Sequence, residues 1–196
     1  MHMNSTHTGA KRLVSGVKPT GRPHIGNYFG AMKQFVELQN QYETFIFIAD
    51  LHALNVIQDR QELAKLSHEL VLDYLAIGLD PHKVVLFKQS AVPAHTQLTW
   101  IFDTLVTVPF MMRAHAYKDA VAKDIEPSMG LFNYPVLMAS DIVLYDADVV
   151  PVGKDQKQHI EYTRDIAGKF NFQYSELFKL PNELILEDVA TVPGTD

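Results

Sequence analysis

The sequence predicts an α/β fold: a Rossmann-like parallel sheet with helices on both faces and a helical insertion. Three observations support this prediction. Short runs rich in β-branched and aromatic residues alternate with longer runs whose apolar residues recur at helical spacing. Residues 44–50 are apolar almost throughout, as expected for a strand covered on both faces. A chain of 196 residues that is 47% hydrophobic can bury one core.

The first half of the chain alternates strands and helices. We predict a strand at residues 11–16, a turn rich in proline and glycine, and a helix at residues 24–41. The apolar strand at residues 44–50 follows. Asp59 then begins a second helix as its N-cap, because its carboxylate can accept backbone N–H groups of the first turn. That helix ends near Gly78, since glycine readily adopts the left-handed conformation that closes a helix.

The second half interrupts this alternation once. A third strand at residues 84–89 is followed by a largely helical excursion at about 94–128, which we treat as an insertion. We then predict a helix at residues 129–145, a fourth strand at 149–153 and a helix at 154–170. Beyond that helix the pattern fades, and no closing element is predicted.

Composition excludes several functional classes. The absence of cysteine excludes a disulfide framework, a thiolate metal site and a cysteine nucleophile. No apolar run approaches the roughly 20 residues of a membrane span, and the polar start lacks a signal-peptide core. A net charge of −6 argues against strong non-specific binding of nucleic acid by this domain. We therefore expect a cytoplasmic protein with a disordered tail at residues 1–10 and no membrane partner.

The first crossover carries polar side chains where parallel sheets bind ligands. His24 and Asn27 are three residues apart and share a helix face beside Gly26, where a flat ring can approach the backbone. Both side chains can donate hydrogen bonds to phosphoryl oxygens, and Lys18 and Thr20 extend from the turn. The alternative is that His24 and Asn27 only satisfy the helix N-terminus. Their position after the first strand favours phosphate binding.

The helix at residues 129–145 carries one carboxylate within an apolar stripe. Tyr134, Met138, Asp141 and Tyr145 are spaced 4, 3 and 4 residues apart and therefore share a face. A lone carboxylate in such a stripe is costly unless it is paired. Asp141 is therefore a candidate acceptor for a buried N–H donor, which a ligand could supply; the alternative is that it caps a neighbouring protein group.

Two further strand ends carry polar residues. Gly153 closes the fourth strand, and Asp155 and His159 follow four residues apart. These two alone make a weak metal site, so a favourable aspartate at a helix start is the stronger interpretation, and we predict no metal ligands. His52 follows the second strand at the same edge of the sheet, where a buried structural histidine is the alternative.

These stretches resemble one family. Residues 15–27 resemble the His-Ile-Gly-His motif of class I aminoacyl-tRNA synthetases, in the variant with a final asparagine. Together with residues 134–142 and residues 151–159, they are similar to the tryptophanyl-tRNA synthetases in particular. The resemblance implies that His24 and Asn27 are catalytic and stabilise the transition state at the α-phosphorus of ATP.

The resemblance also implies two sets of binding residues. In one, the Asp141 carboxylate accepts a hydrogen bond from the indole N–H, and Met138 packs on the indole ring. The residues implied for ATP are Lys18, Pro19, Thr20, Gly26, Asn27, Gly153, Lys154, Asp155 and Lys118. The residues implied for tryptophan are Val14, Gly16, His52, Tyr134, Met138, Asp141, Val152 and Gln156.

This sequence departs from the family at three places. The family carries a basic residue toward ATP in the loop before the tryptophan-binding helix. Lys118 and Lys123 are both in range here, and Arg113 has a structural alternative. Glutamate is common where this chain has Lys154. The family continues beyond Asp196 into a Lys-Met-Ser-Lys-Ser loop and an anticodon-binding domain, so residues 11–196 resemble a catalytic domain truncated before both.

The resemblance implies an enzyme that activates L-tryptophan with ATP and Mg²⁺ and then charges tRNA(Trp), as a homodimer. We expect the 196-residue chain to bind its ligands better than it turns them over. Three alternatives remain open: a tyrosyl-tRNA synthetase of the same fold, a small nucleotidyltransferase that shares the His-x-Gly-His type of turn, and a module that binds ATP or tryptophan without turnover.

Overall fold

Five parallel strands form one sheet in the order β3-β2-β1-β4-β5. The computed structural model describes residues 9–153 and 157–185, without the side chains of residues 30 and 31. Four strands confirm the sequence prediction, and β5 is an edge strand that the prediction missed. The strands are β1 (Arg12–Val17), β2 (Glu43–Ile48), β3 (Val84–Lys88), β4 (Val149–Val152) and β5 (Asn182–Ile185).

The sheet has an apolar layer on each face. Leu13 and Val14 are adjacent in β1 and fully buried, yet they belong to different clusters, because successive strand residues point to opposite faces. Leu13 packs with residues of the helices on one face, among them Phe35 and Leu70. Val14 packs with Ile160 and other residues on the opposite face. This arrangement confirms the predicted parallel sheet with helices on both faces.

The helices occupy the crossovers between strands. Between β1 and β2, a short α1 passes through a π-helical segment into α2. The crossover from β3 to β4 holds four α-helices and corresponds to the predicted insertion with the helix that follows it. The helices are α1 (Ile25–Asn27), the π-helical segment (Tyr28–Met32), α2 (Lys33–Leu38), α3 (Asp50–Ala53), α4 (Arg60–Ala76), α5 (Ala94–Asp103), α6 (Val108–Met111), α7 (His115–Ala122), α8 (Met129–Val143) and α9 (Lys157–Gln173).

Several boundaries differ from the sequence prediction for local reasons. His24 is the N-cap of α1 and lies outside the helix. Asp59 caps α4 as predicted, its Oδ1 accepting the Glu62 backbone N–H at 2.7 Å. Gly78 has a φ of +101° just beyond that helix, as a closing glycine requires. Tyr145 lies two residues beyond the end of α8 and not within it.

The strand order creates a crevice at the carboxyl edge of the sheet. The chain runs from β1 outward to β3 and then returns to place β4 on the other side of β1. In open parallel sheets, ligands bind beyond the carboxyl ends of strands at such a reversal. The turn after β1, the start of α3 and Gly153 all follow strand ends at this edge. The fold therefore brings the described site residues that follow these strand ends to one edge of the sheet.

Some predictions fall outside the described residues. These are most of the tail at residues 1–10, the start of the last helix at residues 154–156, and residues 186–196. Within residues 9–153 and 157–185, no helix is long and apolar enough to cross a membrane.

Candidate functional site

The Asp141 carboxylate lies at the centre of a buried hydrogen-bond network. Its Oδ1 lies 2.6 Å from Nδ1 of His95, and its Oδ2 lies 2.8 Å from Nε2 of His52. Nε2 of Gln89 lies between the two oxygens, at 2.8 and 2.9 Å. Asp141, His95 and Gln89 are fully buried, whereas the side chain of His52 is 10% exposed. An ionised carboxylate only accepts hydrogen bonds, so each of these nitrogens acts as a donor.

These bonds determine the charge state of Asp141. Burial by itself raises the pKa of a carboxyl group, because it removes water from the charged form. The hydrogen bonds and positive electrostatic contributions of His52 and His95 outweigh that effect and hold the pKa of Asp141 below its ordinary value. Asp141 is therefore an ionised acceptor at neutral pH.

His95 is fixed through both of its ring nitrogens. Nδ1 donates to Asp141, and Nε2 lies 2.8 Å from the Tyr145 hydroxyl oxygen, within hydrogen-bond distance. Burial and the negative charge of Asp141 raise the pKa of Tyr145 to about 12, so its hydroxyl stays protonated. The Thr99 hydroxyl donates to the His95 carbonyl at 2.7 Å, and its oxygen lies 3.1 Å from that of the Ser140 hydroxyl, so α5 contacts α8 beside the network.

Gln89 joins the ends of β2 and β3 to Asp141. Its Oε1 accepts the backbone N–H of Leu51 at 3.2 Å, at the start of the helix that carries His52. Beside it, Oδ1 of the buried Asp50 accepts the backbone N–H of Ser90 at 2.9 Å. In the first contact a side chain that follows β3 accepts a backbone N–H that follows β2, and in the second a side chain that follows β2 accepts a backbone N–H that follows β3. The two contacts set the position of α3, and through it the position of His52.

Two sources of a buried donor were considered for Asp141, a ligand and a neighbouring protein group. In this structure the protein supplies the donors, through the side chains of His52, Gln89 and His95. Sequence reasoning placed His52 in the site and missed His95 and Gln89. Gln89 directly follows β3, so the strand-end argument that selected His52 could have found it. Nothing in the local sequence around His95 indicates its role.

An aromatic and apolar wall surrounds this network. The Tyr134 ring lies 6.3 Å from that of His52 and 5.7 Å from that of His159. Met138 packs against a buried cluster that includes Val14 and Val152. Of the predicted tryptophan-binding residues, Tyr134 thus contacts the network through His52, and Val14, Met138 and Val152 share the cluster that includes Ile142, the neighbour of Asp141 in α8, whereas Gln156 lies outside the described residues.

Gly16 is explained by its contact with Phe47. A Cβ on Gly16 would lie 2.2 Å from Cε2 of Phe47, whose buried ring packs against His95 at 6.0 Å. We expect Gly16→Ala to lower the free energy of unfolding by about 1–3 kcal/mol through overpacking. Gly168→Ala in α9 is the control, because a Cβ there meets nothing within 4 Å and should stabilise the helix by about 0.5–1 kcal/mol. Chemical denaturation measures both; equal effects would contradict the overpacking argument.

The first crossover forms a capping box that also orients donors. The backbone N–H of His24 donates to Oδ1 of Asn27 at 2.9 Å, and the N–H of Gly26 donates to Nδ1 of His24 at 3.1 Å. Because Nδ1 accepts, the neutral His24 ring carries its proton on Nε2. Because Oδ1 of Asn27 accepts, its amide keeps two N–H donors. The capping role and the donor role of these exposed side chains are therefore compatible.

The remaining predicted ATP residues lie in this turn, after β4, in α7 or outside the described residues. Lys18, Pro19 and Thr20 follow β1, with the Thr20 N–H bonded to the Lys18 carbonyl at 2.9 Å. Gly153 follows β4 and is exposed, whereas Lys154 and Asp155 lie outside the described residues. Lys118 is exposed in α7 and Lys123 is the residue that closes that helix. The Arg113 guanidinium lies 5.1 Å from the Phe110 ring, which favours its structural alternative.

The described part of the chain contains no group of three or more acidic or histidine side chains arranged to hold a metal ion. His159, one of the two residues weighed for such a site, instead contacts the Tyr134 ring. Its companion Asp155 lies outside the described residues.

Comparison with known proteins places this chain in one family. Residues 6–196 match the family described as tRNA synthetases class I (W and Y). The tryptophan–tRNA ligase of Fusobacterium nucleatum is 59% identical over 187 residues, which is 95% of this chain and 58% of that protein. That of Rhodopirellula baltica is 50% identical over 185 residues, which is 94% of this chain and 58% of that protein.

A solved structure agrees with these matches. The crystal structure of tryptophanyl-tRNA synthetase from Campylobacter jejuni complexed with ADP and tryptophan has a TM-score of 0.89 and 48% identity. The match covers 94% of this chain and 58% of that one. The chain thus spans somewhat more than half the length of these relatives. Because the family matches nearly the whole length of this chain, the chain belongs to the class I tRNA synthetases of the tryptophan and tyrosine group.

Proposed function

We propose that this chain is the catalytic domain of an enzyme that activates L-tryptophan with ATP and then transfers it to tRNA(Trp). The observation that carries the proposal is the buried, ionised Asp141 on the same face of α8 as Tyr134 and Met138, an acceptor suited to an indole N–H. The relatives support tryptophan as the substrate, since those described above are all tryptophanyl enzymes.

The chemistry needs no general base. A carboxylate oxygen of tryptophan attacks the α-phosphorus of ATP, and the bond to the β-phosphate oxygen breaks, giving tryptophanyl-adenylate and pyrophosphate. The attacking carboxylate is already ionised at neutral pH. Catalysis then depends on positioning and on charge stabilisation, to which the N–H donors of His24 and Asn27 contribute. Mg²⁺ is expected to enter with the ATP phosphates as part of the substrate.

The tyrosyl alternative is less well matched to the site. Asp141 is a fully buried residue of α8 with its oxygens directed at nitrogen donors, and a phenol presents its hydroxyl at a different reach from an indole N–H. Identity of 50–59% to tryptophan–tRNA ligases across nearly the whole chain also favours tryptophan. A nucleotidyltransferase would not need this amino-acid pocket.

Three further features of the enzyme are proposed with it. An interface between two copies is expected near the insertion, where large apolar side chains are exposed, including Trp100 at 70%, Val108 at 62% and Met129 at 75%. With a net charge of −6, the main tRNA-docking surface is expected outside this domain. A cytoplasmic location fits both the substrate tRNA and the absence of cysteine.

Calorimetry with the purified chain tests the proposal. We expect binding of L-tryptophan, binding of ATP, and no measurable binding of L-tyrosine at the same concentrations. Exchange of labelled pyrophosphate into ATP should depend on tryptophan. Binding of tyrosine in preference to tryptophan would overturn the proposal in favour of the tyrosyl enzyme. Binding of ATP alone would favour the nucleotidyltransferase.

A further inference from the structure

The Asp141 carboxylate has no spare acceptor position in this structure. Its two oxygens offer about four lone-pair positions. Gln89 uses one on each oxygen, His95 uses the second on Oδ1, and His52 uses the second on Oδ2. A ligand N–H can bind Asp141 with good geometry only if one of these donors leaves.

We propose that His52 is a replaceable donor that occupies Oδ2 of Asp141 until a substrate ring N–H takes its place, while Gln89 and His95 stay and position the carboxylate. This inference rests on the proposed function and adds to it a determinant of specificity. It explains how a fully buried carboxylate can remain satisfied both without the substrate and with it, which a dedicated ligand acceptor could not.

Exposure and anchoring distinguish His52 from the other two donors. Its side chain is 10% exposed, whereas His95 and Gln89 are fully buried. It belongs to the four-residue helix α3, which follows the carboxyl end of β2, where substrates enter parallel α/β folds. Its ring lies edge-to-face with that of Tyr134, and Tyr134 is expected to line the amino-acid pocket.

Gln89 and His95 are held too firmly to leave. Gln89 also accepts the Leu51 N–H, and His95 also bonds the Tyr145 hydroxyl. The His95 ring packs against both Phe47 and Phe87, with ring centroids 6.0 and 6.2 Å away. Moving either residue would break a second buried hydrogen bond. They are positioning residues, since they act on the substrate through Asp141.

A replaceable donor has an unusual consequence for specificity. A site with a dedicated buried acceptor rejects a ligand that lacks the donor by roughly 10⁴-fold, because the acceptor is left unpaired. If His52 can remain on Asp141, an analogue without the ring N–H leaves nothing unpaired, so discrimination should be only about 10-fold, comparable to one ordinary hydrogen bond. Removing the His52 donor should therefore make the site more selective for a ligand with a ring N–H over an analogue without one.

The test compares tryptophan with 3-(benzothiophen-3-yl)-L-alanine, in which sulfur replaces the ring N–H. Calorimetry gives the ratio of the two dissociation constants for each variant. We expect His52→Ala and His52→Phe to raise the preference for tryptophan by at least about 10-fold, because the analogue then leaves the buried Oδ2 unpaired. His95→Phe should lower the preference by about 10-fold, and His95→Gln, which can still donate, should restore it. His82→Ala is the matched control, since that histidine precedes β3 at the opposite edge of the sheet.

An unchanged or reduced preference in both His52 variants would overturn the inference, because it would mean that His52 stays on Asp141 or contacts the ligand directly. Nitrogen-15 NMR of the unsubstituted chain gives an independent result that needs no variant. The His52 Nε2–H signal should shift on addition of tryptophan and not on addition of the analogue; equal shifts would also overturn it. If the unsubstituted chain binds no tryptophan, the proposed function itself fails, and this outcome is distinct from the others.

Discussion

Replacing Asp141 with asparagine is expected to lower the affinity for tryptophan by at least about 100-fold and the free energy of unfolding by about 3–5 kcal/mol. Asparagine has nearly the same shape, but one of its two terminal groups is a donor. In place of the carboxylate, that NH₂ group would face N–H donors from two of His52, His95 and Gln89. The variant thus leaves buried donors unpaired and removes the charge that is proposed to pair with a ligand N–H.

Chemical denaturation and calorimetry measure the two effects separately. Asp103→Asn is the matched control, because Asp103 is only partly buried in α5 and bonds Asn133 at 3.0 Å, a contact that an asparagine oxygen can still accept. We expect it to cost less than about 1 kcal/mol and to leave tryptophan binding unchanged. Equal losses in both variants would contradict the central role of Asp141.

The effect of Asp141→Asn on the free energy of unfolding is expected to depend on pH, in a direction that follows from the pKa of Asp141. The pKa of Asp141 in the folded chain lies below its ordinary value of about 4. A lowered pKa means that the charged carboxylate stabilises the fold above about pH 4, and that this stability is lost as the pH falls through the folded value. We therefore expect the stability difference between the unsubstituted chain and Asp141→Asn to narrow below pH 4. A stability difference that widens below pH 4 would contradict a lowered pKa of Asp141.

The sequence was sufficient to locate the site but not to complete it. Asp141 could be predicted because a carboxylate in an apolar helical stripe is costly without a partner. Its partners could not, because they lie 46 to 89 residues away along the chain and meet only after β2, β3, α5 and α8 have packed. His95 in particular sits in an insertion that interrupts the strand-helix alternation, so no period or strand end marks it.

The missed fifth strand has a related cause. Asn182–Ile185 begins with two polar residues and follows a proline, so its sequence lacks the apolar run that marked the other strands. It forms because β4 offers an unpaired edge, to which it adds in parallel register from Val149 with Asn182 onward. Edge pairing of this kind is decided by the neighbouring strand more than by local propensity.

Asn27→Asp is expected to lower the rate of pyrophosphate exchange by about 100- to 1000-fold while leaving the fold intact. The aspartate keeps an oxygen for the His24 N–H, now 2.9 Å from Oδ1 of Asn27, and a carboxylate is favourable at a helix N-terminus. It loses both N–H donors, however, and places a negative charge where the α-phosphate of ATP is expected. The substitution therefore separates the capping role from the proposed catalytic role, which the native asparagine performs together.

The two roles predict opposite outcomes. If Asn27 only caps the helix, exchange stays within about threefold and the free energy of unfolding is unchanged or raised by a few tenths of a kcal/mol. If it stabilises the transition state, stability is retained and exchange is lost, with tryptophan affinity in the absence of ATP unaffected. Asn40→Asp is the matched control: Asn40 is exposed, accepts from Lys83 at 2.8 Å, and precedes β2 at the opposite edge of the sheet. The same chemical change there should leave exchange unaltered, because Asn40 lies at the edge of the sheet opposite the proposed ATP site.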